Sequence, residues 1–221
     1  MRRAANLRVL DDHAQTKLSR FGRRVALLRR AEDDAGRSLD SHQLETELSH
    51  AVINLQSFWS NWCRAYYLSG ALGTQSSSGA TISSGLSLSN ERDALTVAIK
   101  GTLTPKHPAP PTWPPYQEPK WFDPNVFTSI LTKAQISNSQ NISMFVNSVQ
   151  TPLGHLRLAR NYYAHRSDHL KQPVLALGPT YLVGLPNKPS DILLFVEPNR
   201  SLSVLERWIL DLRRLASAMC I

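Results

Sequence analysis

Two cysteines in 221 residues, Cys63 and Cys220, form no CxxC pair and are too few for a disulfide framework or a zinc ribbon. Both read as small apolar fillers in a chain suited to a reducing cytoplasm. No run approaches the roughly 18 apolar residues of a membrane-crossing helix, so no membrane partner is expected. The basic start, Met1-Arg2-Arg3, reaches Asp11-Asp12 before any apolar stretch develops, which argues against a signal peptide. Gly79 and Gly85 lie in a serine run without the lysine of a P-loop, and no GxSxG elbow occurs. His165 and His169 are four apart, as helical metal ligands are. Arg166 stands where a metalloprotease carries its glutamate, and a cation there repels a metal. No metal or cofactor is expected.

Acid is also in short supply. Seventeen Asp+Glu against 25 Lys+Arg give a net charge of +8, which suits a polyanionic partner such as RNA. Arg20, Arg23, Arg24, Arg29, Arg30 and Arg37 crowd the first segment, as a solvated helix face or as a track for phosphates.

What the chain does have is helical periodicity. Residues 4–33 carry Leu7, Leu10, Leu18, Phe21, Val25 and Leu28, predicting one or two helices in a basic N-terminal extension over 1–37. Asp40 and Gln43 form a capping box for a long helix over about 41–70, whose Phe58, Trp59, Trp62 and Tyr66 read as core. The Ser/Gly-rich stretch 74–90 predicts a mobile loop. Asn90 caps a short helix through Ile99. Prolines over 104–119 predict an extended strap pinned by Trp113, Tyr116 and Trp121. Asp123-Pro124 opens a helix to about Ile136, a second spans 139–150, and Pro152 begins a third to about Ser167. Val174–Leu177, Tyr181–Val183 and Ile192–Val196 are β-prone, predicting a small hairpin or sheet over 173–197. An amphipathic helix over 201–219 closes a mainly α chain, read as one domain over 1–221.

The helix after Pro152 carries the chemistry, in the string Leu158-Ala159-Arg160-Asn161-Tyr162-Tyr163-Ala164-His165-Arg166. Arginine grips phosphate with a planar fork of donors, and histidine moves protons near neutral pH. Asn161 and His165, four apart, share a helix face. Arg160 lies well round from His165, so its long side chain must curl to meet the same phosphate. Leu156, Ala159 and Tyr163 line the opposite, core-facing side.

The string resembles the HEPN superfamily signature, an Arg followed by four to six residues and then a His, with a polar residue directly after the Arg. The likeness covers roughly residues 40–70 and 139–170. It implies a HEPN-like helical bundle and a homodimer in which two motif helices face one another across a composite site. It further implies metal-independent endoribonuclease activity through the RNA 2′-hydroxyl, with Arg160, His165 and Asn161 catalytic and Tyr162 and Arg166 contacting substrate. A cytoplasmic toxin or phage-defence effector, met by an antitoxin or sensor protein, is the usual setting. Ser167 replaces the tyrosine found two residues past the histidine in HEPN toxins silenced by nucleotide transfer. The alternatives are a catalytically idle binding or assembly module, and a nucleic-acid-binding regulator using Arg20–Arg37.

Overall fold

The computed structural model describes residues 1, 3–33, 41–101 and 113–221. Arg37, the Asp40 capping box and most of the proline-rich strap lie outside the described residues. The described chain is mainly helical: α1 (Leu7–Asp33), α2 (Ser41–Leu72), α3 (Glu91–Lys100), α4 (Pro124–Lys133), α5 (Ser139–Ser148), α6 (Gln150–His165), α7 (Asp168–Leu175), α8 (Ser190–Leu193) and α9 (Val204–Cys220). Two short strands, β1 (Thr74–Gln75) and β2 (Thr81–Ile82), pair antiparallel. The chain divides into two compact units. The first comprises Met1–Ala14, Phe58–Gln150 and Leu215–Ile221, and the second Gln15–Ser57 and Thr151–Arg214.

The first unit is built on the aromatic end of α2. Trp59 and Trp62 stack at 5.0 Å, Trp62 continues onto Tyr66, and Tyr67 meets Trp121. Burying these rings is affordable because their polar ends find partners. Trp62 Nε1 donates to Leu10 O at 3.0 Å, and the Tyr66 and Tyr67 hydroxyls donate to Met219 O and Ala94 O. Cys63 and Cys220 are buried here, and burial raises both thiols above their ordinary range. Local chemistry sets the helix starts. The Asn90 side chain accepts the Asp93 N–H, and the Asp123 carboxylate accepts from Asn125 and Val126 ahead of Pro124. Helix α4 stops short of Ile136, because Gln135 takes a left-handed φ of 52°.

Two expectations change in this unit. The serine-rich stretch is tied down rather than loose. The buried Ser76 hydroxyl accepts from Ser78 N and Ala80 N, and Ser84 Oγ donates to Ala134 O. Short serine side chains act here as turn formers, replacing the backbone partners a tight turn lacks. Trp113 and Trp121 do anchor their segment, Trp113 through Thr96 Oγ1 at 2.9 Å, but Tyr116 is 83% exposed and anchors nothing.

The second unit packs parts of α1, α2 and α9 with α6, α7 and α8. Gln15 and Arg213 exchange two hydrogen bonds of 3.0 Å, and Arg29 pairs with Glu206 at 3.2 Å. Arg24 pairs with Glu47, while Arg20, Arg23 and Arg30 face solvent. The predicted sheet over 173–197 is absent. The segment folds as α7, a 3₁₀ turn at Pro179–Tyr181 and α8, with one isolated bridge from Val196 to Ser203. Pro173, Pro179, Pro186 and Pro189 flank the apolar runs and keep them short, and a lone short hairpin is marginal in water. Ile192 and Leu193 are buried instead from the short α8, whose Asp191 carboxylate accepts the N–H groups of Asn187 and Lys188.

Candidate active site on the motif helix

Helix α6 holds its place because Leu153, Leu156, Ala159 and Tyr163 recur at three- and four-residue steps and are all buried. It ends at His165, where Arg166 turns to a left-handed φ of 47° and its N–H meets Tyr162 O at 2.6 Å. Arg166 is therefore outside the helix and exposed.

The buried stripe fixes where every motif residue points. Asn161 and His165 fall on the side away from the core, with His165 exposed and Asn161 half-buried. Arg160 lies on the flank, half-buried, and its Nη1 donates to Asn161 Oδ1 at 3.5 Å, the outer limit of a hydrogen bond. Around the axis Arg160 and His165 are about 140° apart. The structure thus joins Arg160 to Asn161 and sets Asn161 beside His165, while within one chain Arg160 and His165 look in different directions. Tyr162 is half-buried, edge-on to Tyr163 at 5.1 Å, and burial with the nearby Glu45 charge raises its phenol.

Beneath this face lies a polar pair that motif reasoning passed over. The Tyr163 hydroxyl is buried with no hydrogen-bond partner, and both carboxylate oxygens of Glu45 on α2 are buried without one. Burial drives the Tyr163 phenol well up, and the nearby Glu45 carboxylate adds to the shift. Such groups are costly to leave unmade. Glu45 directly follows Leu44 of the α2 apolar stripe, but local spacing holds no sign that Tyr163 is its neighbour.

Among the described residues no group of three or more His, Cys, Asp or Glu side chains is arranged to hold a metal ion, and His169 sits on α7 rather than α6. No helix among them is long and apolar enough to cross a membrane. Comparison with protein-family models, with curated proteins and with solved structures gave no match for this chain.

Proposed function

We propose that this chain is a HEPN-type endoribonuclease that cleaves RNA without a metal step. The observation that carries the reading is the phase of α6: its apolar stripe is buried, and Asn161 and His165 are left facing outward, with half-buried Arg160 hydrogen-bonded to Asn161. In the reaction His165 takes the 2′-hydroxyl proton as that oxygen attacks phosphorus. The P–O5′ bond breaks, and the departing oxygen is protonated by the second histidine of a dimer. The products are a 2′,3′-cyclic phosphate and a 5′-hydroxyl. Arg160 stabilises charge on the non-bridging oxygens, Asn161 orients the imidazole, and Tyr162 and Arg166 contact the flanking nucleotide.

A second copy answers the geometric difficulty. Gly154, Leu158, Asn161 and His165 run down the outward side of α6 at steps of four, three and four, the spacing of a helix–helix seam. A Cβ added at Gly154 meets nothing within 4 Å, so a partner helix can approach there closely. Across such a seam the two His165 side chains come together, and the long Arg160 side chain curls round from about 140° away to meet them.

The test is incubation of the purified protein with structured RNA in EDTA, repeated with Arg160→Ala and His165→Ala. Cleavage in chelator that each substitution lowers by about a hundredfold or more supports the reading. Intact RNA with a preserved dimer assigns the fold to an idle assembly module. A mobility shift lost on neutralising Arg20, Arg23 and Arg30, with RNA uncut, assigns it to a regulator. A toxin or defence role predicts that induced expression arrests growth and that His165→Ala relieves the arrest. With Ser167 where silenced relatives carry tyrosine, an antitoxin would act by binding rather than by modifying that position.

A further inference from the structure

A cleft of about 380 Å³ opens in the second unit between α9 and the start of α6, bordered by Pro152, Tyr181, Arg200, Arg207, Asp211 and Arg214. Its three guanidinium groups are not equivalent. Arg207 is committed to the fold: it holds both Glu197 oxygens at 3.0 and 2.5 Å and lies 5.5 Å from the centre of the Tyr181 ring. Arg200 and Arg214 have side chains 63% and 71% exposed, and each meets its carboxylate, Glu197 or Asp211, only at 3.8 Å. Exposed pairs that long are weak, so an incoming anion displaces them easily. Arg207 and Arg214 are two turns apart on one face of α9, with Arg200 in the preceding turn. Apolar Leu202 and Leu210 complete the wall, so an anion there is partly shielded from water.

We propose that this cleft is a phosphate subsite, taking a phosphodiester of an RNA strand some nucleotides away from the scissile linkage. The cleft stands on its own geometry, and only the identity of the strand rests on the nuclease reading. Pro152 lies in the first turn of α6 and His165 ends it, so the two points are about 20 Å apart along one rigid helix. A strand with repeated phosphates spans that distance; a mononucleotide does not. A free nucleotide presents the same phosphate chemistry to the cleft alone, and the experiment separates the two sources.

The measurement is fluorescence anisotropy of a labelled 2′-O-methyl RNA dodecamer, which cannot be cut, bound to the full chain over a salt series. The double variant Arg200→Ala/Arg214→Ala is expected to bind about tenfold more weakly, with a salt slope shallower by about one. Asp211→Asn, which removes the cleft's own carboxylate, is expected to bind more tightly. Affinities within twofold of the unaltered protein in both variants overturn the subsite. Displacement of the dodecamer by ATP, with ATP binding itself lost in the double variant, assigns the cleft to free nucleotides and overturns the RNA form. Because binding is read with an uncleavable strand, absence of RNA cleavage by the unaltered protein sinks the nuclease reading and leaves the cleft standing.

Discussion

Tyr66 and Tyr181 show how single hydroxyls organise this chain. Tyr66 Oη donates to Met219 O at 2.9 Å and accepts from Asn138 Nδ2 at 3.0 Å, and burial pushes its phenol far up. Tyr66→Phe leaves the buried Met219 carbonyl and the part-buried Asn138 amide without their partner and is expected to cost about 1–3 kcal/mol, read from the urea midpoint. Tyr181 Oη accepts from Trp208 Nε1 at 2.9 Å and shares a second hydrogen bond of 2.7 Å with His155 Nδ1. Burial lowers the His155 pKa from its ordinary 6.5. The unfolded chain then binds the extra proton first as pH falls. Stability is intact above about pH 6.5 and declines below it until the folded pKa is passed. His155→Asn keeps an acceptor in place without a titration, so the difference in urea midpoint between about pH 7.5 and about pH 5.5 should shrink in that variant. Residue types alone marked Arg160, Asn161 and His165. They did not mark His155, because its partners come from Tyr181 and Trp208, 26 and 53 positions away in sequence.

At the scale of elements, periodicity and caps carried most of the information. Asn90, Asp123 and Pro124 stand where helices begin, because a cap acts within one turn of itself. Partners far along the chain decided the rest. The stretch 173–197 has β-prone composition and no strand to pair with, so its prolines and Asp191 shape it into turns and short helices. The stretch 74–90 has loop composition and yet acquires fixed partners. Gly85 donates to Gln135 O at 2.9 Å, and a Cβ there would come 2.4 Å from Gln135 Oε1 and 3.0 Å from its Cβ. Gly85→Ala is therefore expected to cost about 1–3 kcal/mol, the penalty of overpacking a close contact, and to lower the melting temperature. An unchanged melting temperature would show that Gln135 swings aside freely.

The whole-molecule question is whether two copies meet along α6. The seam of Gly154, Leu158, Asn161 and His165 gives it a sharp form. Gly154→Trp replaces a helix-weakening glycine at a site with open space around it, so folding should be unharmed. The same substitution puts a large ring where the partner helix of the proposed dimer would approach. Sedimentation should show a monomer, and cleavage should fall with dimerisation while circular dichroism stays unchanged. A Gly154→Trp protein that remains dimeric and active would remove α6 from the interface.

By itself the sequence determined the helical character of the chain, the Asn90 and Asp123 caps, the buried aromatic run of α2 and which side of α6 faces inward. All of these follow from residue spacing over a few turns, where backbone geometry is fixed. Tertiary structure alone decided that the serines of 74–90 are anchored, that 173–197 forms no sheet, that Glu45 is buried beneath the motif helix, and that Arg200 and Arg214 border one cleft. Those outcomes depend on groups far apart in the chain, and local spacing holds no record of which distant partner a side chain will meet.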